Sequence, residues 1–131
     1  MLTNSRISKR QMLLILAIVV AILLVAGQTS LKYGLIRAGG LSGHSVVAIG
    51  TWTRLFVEPF VLLGFMLYGA ASLVWLRVLS DQELSLAYPL ISFSYAASLV
   101  VGSIVFHDHL SVTRVVGVAI IILGAVVVSR S

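Results

Sequence analysis

The chain has 131 residues, of which 60% are hydrophobic and only 10% are charged. A soluble domain carries about 25% charged residues, so the composition excludes an ordinary soluble domain and indicates a small polytopic membrane protein. The formal net charge of +5 does not indicate a nucleic-acid partner, because the basic residues lie at the ends of apolar segments, where they meet anionic lipid head groups.

Four apolar segments are long enough to cross a bilayer, which requires about 20 residues per helix. The sequence therefore predicts an all-α membrane protein with one four-helix transmembrane domain, residues 1–131, and spans at residues 11–33, 56–76, 84–106 and 112–128. Residues 46–55 form an approach that either lies on the membrane surface or dips into it. The basic cluster "RISKR" before the first span predicts that both termini are cytoplasmic.

Two features mark the start of the second span. Arg54 and Glu58 are four residues apart and would pair on one face if this segment were helical. Pro59 fits the first turn of the helix that follows.

Polar side chains close the first span in the stretch "LVAGQTSLKYG", which contains no carboxylate. Polar groups inside a membrane are candidates for function when they face a cavity. Gln28 and Ser30 could instead bond to a neighbouring helix or to their own helix. Lys32 could extend to the head groups or bind a phosphate at the mouth of a groove. Both interpretations stay open for each residue.

A second set of polar residues surrounds the turn between the second and third spans. Arg77 could anchor the helix at the interface or bind a phosphate, and Glu83 lies at the interface. Tyr88, Ser92 and Tyr95 recur at steps of four and three, which places them on one face of a helix. This stripe of hydroxyl groups is predicted to face a groove or another helix.

The fourth span carries a face of small residues. Gly117 and Gly124 are seven residues apart, which is two helical turns, so the pair predicts a close helix–helix or dimer contact. His107 and His109 are only two residues apart and have no supporting ligands nearby, so no metal site and no cofactor are predicted. The sequence contains no catalytic constellation, which argues against an enzyme.

The order of these motifs resembles the four-helix branch of the drug/metabolite transporter superfamily. That branch holds the small multidrug resistance exporters and the subunits of the aminoarabinose–phospho-undecaprenol flippase. The resemblance covers nearly the whole chain and rests on "GQTSLKYG", "WLRVLSDQELSLAYPLISFSY" and "FHDHLSVTRVVGVAIIILGAVVV".

The resemblance also shows where this chain departs from the drug exporters. Matching "SLKY" places the proton-exchanging glutamate of those exporters at Leu24. Tyr88 matches their tyrosine, and the aromatic residue that follows falls at Ile91. A cation in hydrocarbon without a counter-charge is costly, so cation export by that mechanism is disfavoured. The strings "AYPLIS" and "FHDHLS" are more similar to the flippase subunits.

The resemblance implies a flippase, or a flippase subunit, that moves a polyprenyl-phosphate-linked sugar across the bacterial inner membrane. A homodimer, or a heterodimer with a sister subunit, would supply the two walls of a polar groove, with Gly117 and Gly124 as the contact. The predicted substrate-binding residues are Gln28, Ser30, Lys32, Arg77, Glu83, Tyr88, Ser92 and Tyr95.

Two alternatives remain. The chain could export small metabolites or toxic compounds, with Glu83 or Glu58 as the proton carrier. It could instead be a membrane scaffold subunit for a glycosyltransferase, without a transport path of its own.

Overall fold

The computed structural model describes residues 2–43 and 47–131, with side chains from residue 8 onward. This part of the chain folds into the helices α1 (Leu2–Arg37), α2 (Ile49–Val57), α3 (Pro59–Asp81), α4 (Leu84–Leu90), α5 (Phe93–Val105) and α6 (Val112–Arg130). Four segments in it are long and apolar enough to cross a membrane: Ser8–Arg37, Pro59–Asp81, Leu84–Val105 and Val112–Arg130. The predicted all-α fold with four transmembrane helices is confirmed, whereas the dimer stays a prediction.

Helices α1 and α3 form the tightest contact in the bundle, and glycines make it possible. A Cβ atom on Gly34 would lie 2.8 Å from the backbone nitrogen of Val61, and one on Gly64 would lie 2.5 Å from Leu31 Cγ. Without a hydrophobic driving force between helices in lipid, such close backbone approach supplies much of the packing energy. This contact makes α1 and α3 the scaffold on which α2, α4 and α5 pack.

The helical conformation is interrupted between α2 and α3 at Glu58. Its extended backbone, with φ −66° and ψ 121°, ends α2, and Pro59 opens α3 at a position where its missing N–H costs no hydrogen bond. The second long helix therefore begins at Pro59, later than the predicted start at residue 56. Val46, the first residue of the predicted interfacial approach, lies outside the described residues.

The predicted pairing of Arg54 with Glu58 is replaced by another. Glu58 accepts a hydrogen bond from the backbone N–H of Phe60 at 2.7 Å, as the N-cap of α3. Its other oxygen lies 3.1 Å from Arg37 Nε at the end of α1. The helix ends before Glu58, so Arg54 and Glu58 do not share the helical face that their spacing implied.

The third span is split rather than continuous. Pro89 lies inside α4, where it supplies no backbone N–H to the helix and crowds the preceding turn. The chain then tightens: Ile91 N bonds to Tyr88 O at 3.2 Å and Ser92 N bonds to Pro89 O at 3.1 Å. These are bonds across three residues, of the kind found in 3₁₀ turns. After this turn, α5 begins at Phe93 as a separate helix.

Helix α6 packs mainly on α4 and α5 and has no buried residue among those described. A Cβ atom added to Gly117 or Gly124 would meet nothing within 4 Å in the described chain. Neither glycine is therefore used for packing within one copy. Their predicted role in a dimer stays a prediction.

Candidate functional site

A cavity of about 710 Å³ lies between α1, α3, the broken third span and α6. We call it the main cavity. Its walls are mostly apolar, and a minority of polar groups lies among them. The predicted site residues that line it are Gln28, Lys32, Tyr88, Ser92 and Tyr95.

Gln28 is held against α3 by a tyrosine that the sequence analysis missed. Its side-chain amide donates a hydrogen bond to the hydroxyl of Tyr68, which also lines the main cavity. Gly27 allows this approach, because a Cβ atom there would lie 3.0 Å from Tyr68 Cδ2. Tyr68 is the one tyrosine in the apolar helix α3. A single hydroxyl-bearing aromatic residue in such a helix could have been recognised from the sequence as a candidate site residue.

Lys32 stands at one end of the main cavity and has an acidic partner. Its Nζ lies 3.0 Å and 3.1 Å from the two carboxylate oxygens of Asp108. The ammonium also lies 4.3 Å from the centre of the Phe106 ring, a cation–π contact. Both charged side chains are 44% exposed, so the pair remains accessible from the cavity.

The loop between α5 and α6 is shaped to deliver Asp108 to this position. The backbone N–H of Asp108 donates to Gly102 O at 3.0 Å, and His107 adopts a positive φ of 54°. Gly102 leaves room for the carboxylate, since a Cβ atom there would lie 2.9 Å from Asp108 Oδ2. The first span contains no carboxylate of its own, and the folded chain supplies one from a distant loop.

The stripe on the third span faces the main cavity. Tyr88 packs edge-on against Trp75, with ring centres 5.7 Å apart, and Tyr95 is largely exposed toward the cavity. Ser92 lies at the break between α4 and α5 and is only 5% exposed. Its hydroxyl is buried and has no hydrogen-bond partner among the described residues.

Leu24 and Ile91 also line the main cavity, beside Tyr88. These are the positions where the resemblance placed the glutamate and an aromatic residue of the drug exporters. This cavity thus carries apolar side chains at both of those positions.

Three predicted site residues lie elsewhere. Ser30 is buried and donates to Phe60 O on α3 at 2.7 Å. It lies two positions along the helix from both Gln28 and Lys32, a rotation of about 200°, so it points to the opposite face of α1. Arg77 Nη1 lies 2.5 Å from Asp81, one turn further along the same helix. Glu83 is exposed at the start of α4 and does not line the main cavity.

A bundle of four membrane-spanning helices around a partly polar cavity is the architecture of a small membrane transporter. The comparisons with known proteins agree with this class. The protein of Aeromonas hydrophila named "Probable 4-amino-4-deoxy-L-arabinose-phosphoundecaprenol flippase subunit ArnF" is 35% identical over 109 residues, 82% of this chain and 72% of that protein. This chain belongs to the ArnE/ArnF family of flippase subunits.

Several other relatives carry the corresponding name for subunit ArnE. The protein of Proteus mirabilis is 28% identical over 114 residues, 87% of this chain and 94% of that protein. The protein of Aeromonas salmonicida is 31% identical over 74 residues, and the match spans 64% of its length, slightly less than two thirds. No family model and no solved structure matches the chain.

Proposed function

We propose that this chain is one subunit of a flippase that moves a polyprenyl-phosphate-linked sugar across the bacterial inner membrane. The observation that carries the proposal is the accessible Lys32–Asp108 pair at the end of a cavity otherwise lined by hydroxyl, amide and apolar groups. The names of the relatives support the same cargo class and specify an aminoarabinose on phosphoundecaprenol. Both termini are cytoplasmic in this proposal, as the basic N-terminal cluster favours.

The main cavity has the chemistry that such a head group needs. The Lys32 ammonium leaves the carboxylate of Asp108 and binds the phosphate of the cargo through a charge-assisted hydrogen bond. The hydroxyls of Tyr88, Ser92 and Tyr95 face the sugar, while the apolar chain stays in lipid. A volume of about 710 Å³ lies within the range of about 300–1,000 Å³ that is typical of small-molecule sites.

The cargo passes between two subunits. One bundle provides one wall of the path, and the exposed face of α6 with Gly117 and Gly124 is where a second copy or a sister subunit packs. The role is transport, and no covalent step belongs to it.

A second candidate function has one observation in its favour. Asp108 is a carboxylate that lines the main cavity, and a carboxylate is what a cation exporter requires. Glu58 and Glu83, the earlier candidates for that role, do not line it. In this alternative Asp108 binds a cationic compound once Lys32 moves away.

Flux in proteoliposomes separates the two functions. The chain is reconstituted with its sister subunit, and movement of aminoarabinose-phosphoundecaprenol is followed in the wild type, in Lys32→Ala and in Arg54→Ala. Arg54 is an exposed basic residue that lies outside the main cavity, so its replacement is the matched control. Lys32→Ala should lower the flux about tenfold or more, the effect of losing one hydrogen bond to a charged group.

Equal flux in Lys32→Ala and the wild type would overturn the phosphate role of Lys32. Ethidium resistance that requires Asp108, together with no movement of the lipid-linked sugar by the wild type, would establish the cation exporter instead.

A further inference from the structure

A second cavity, of about 510 Å³, lies at the other end of the bundle. It is bordered by the N-terminal part of α1, the start of the third span and the end of α6. Lys9 and Arg10 line it, and its remaining described lining residues are apolar or uncharged. Arg77, which the sequence predicted as a possible phosphate contact, is paired with Asp81 and lines neither cavity.

The two cavities meet at the break in the third span. Pro89, Ser92 and Ala125 line both of them. Ser92 is the residue whose buried hydroxyl has no hydrogen-bond partner among the described residues. A polar group without a partner inside the bundle is costly, so rotation of this buried side chain toward either cavity would be favourable if a polar group of the cargo lay there.

The basic residues of the two cavities are spaced to match a membrane. Lys9 and Lys32 belong to the same continuous helix α1. At about 1.5 Å per residue they lie about 35 Å apart along its axis, whereas the hydrocarbon core of a bilayer is about 30 Å thick. Each cavity therefore presents a basic side chain at one head-group level.

We infer that Lys9 and Arg10, with the cavity beneath them, form a second head-group site for the phosphate of the same lipid-linked sugar, on the membrane face opposite Lys32. This inference rests on the proposed function. The charge of the site complements a phosphate, and the apolar groove suits a polyprenyl chain through Leu13, Leu14 and Leu86. Between the two sites the head group passes the break, where the hydroxyl of Ser92 offers it a hydrogen bond.

Because the chain contains no cysteine, single thiols can report on each cavity separately. Ser129→Cys places a thiol in the second cavity, and Ser98→Cys places one in the main cavity. Ser80→Cys, at the polar end of α3, is exposed and lines neither. Serine and cysteine are close in size, so each change is small. The rate of labelling by a water-soluble maleimide is measured on the full chain in phosphatidylcholine nanodiscs, with and without aminoarabinose-phosphoundecaprenol.

The cargo should slow labelling of Ser129→Cys and Ser98→Cys and leave Ser80→Cys unchanged. Adding Lys9→Ala and Arg10→Ala should raise the cargo concentration needed for protection of Ser129→Cys about tenfold or more, as expected for lost charge-assisted hydrogen bonds. Adding Arg130→Ala removes a charge at the same end of the bundle but not from the cavity lining. It should leave protection unchanged.

Each other outcome has a definite meaning. Equal protection by phosphatidylglycerol would reduce Lys9 and Arg10 to general lipid anchors and overturn the inference. Protection at Ser98→Cys without protection at Ser129→Cys would also overturn it, while the proposed function stands. Protection at neither position would remove the proposed function as well.

Discussion

Replacing Gly64 by alanine tests whether the contact between α1 and α3 determines the geometry of the main cavity. The added Cβ would lie 2.5 Å from Leu31 Cγ, 2.7 Å from Leu31 Cδ2 and 3.0 Å from the carbonyl oxygen of Gly27. The leucine side chain could rotate away, but the carbonyl belongs to the backbone of α1 and can yield only if the helices separate. Their separation would also pull Tyr68 away from Gln28.

Gly69→Ala provides the matched control on the same helix, because a Cβ there would meet nothing within 4 Å. Both variants gain the same preference of alanine over glycine for a helix, about 1 kcal/mol, so their difference isolates the steric clash. Overpacking of this kind costs about 1–3 kcal/mol. Gly64→Ala should therefore be less stable than Gly69→Ala by about that amount.

The free energy of unfolding of each variant is measured by titration with sodium dodecyl sulfate and followed by far-ultraviolet circular dichroism. Flux of the lipid-linked sugar is measured in parallel and should fall only in Gly64→Ala. Equal stability of the two alanine variants would refute the close contact between α1 and α3.

Two further changes probe single polar groups. Ser92→Ala removes a buried hydroxyl without a partner among the described residues. It should leave the free energy of unfolding unchanged or raise it by up to about 1–3 kcal/mol. The same change should slow the flux of the lipid-linked sugar. Unchanged flux would show that the hydroxyl does not contact the cargo. Glu58→Gln keeps the shape of the side chain but loses the charge that pairs with Arg37 and strengthens the cap of α3. It should lower the free energy of unfolding by about 1 kcal/mol. Equal unfolding midpoints of Glu58→Gln and the wild type in the same detergent titration would contradict this.

Local patterns in the sequence predicted the helices and placed three hydroxyl-bearing residues on one face, which lines the main cavity. The steps of four and three between Tyr88, Ser92 and Tyr95 were sufficient to place them on one face, and the structure turns that face toward the main cavity. The same reasoning should have excluded Ser30, which lies two residues from both Gln28 and Lys32 and therefore points away from them.

Long-range contacts were beyond the sequence. Lys32 and Asp108 are 76 residues apart in the chain, and no local period relates them. The carboxylate reaches the lysine only because the loop after α5 folds back over Gly102. Likewise, the sequence "AYPLIS" did not decide whether Pro89 lies in the first turn of a continuous helix or interrupts the span. The structure shows that the span is interrupted just after Pro89.

The neutral character of Leu24 is the feature that separates a phosphate path from a cation path. Leu24 lies one turn from Gln28 and lines the main cavity. In Leu24→Glu the new negative charge lies about 12 Å along α1 from Lys32, where the phosphate binds. At an effective dielectric constant of about 20 it would repel that phosphate by about 1.4 kcal/mol, which is about tenfold in affinity. Leu24→Gln has the same size without the charge and serves as the control.

For a polyprenyl-phosphate sugar without an amino group, whose head group carries only negative charge, flux through Leu24→Glu should therefore be well below that of Leu24→Gln at neutral pH. It should recover toward the control at acidic pH, because protonation removes the charge of the carboxyl group. Binding of ethidium should change in the opposite sense, since the same carboxylate attracts a cation. If the two variants move the lipid-linked sugar equally well at every pH, the head group does not pass this wall of the main cavity, and Lys32 marks an entrance rather than a step along the path.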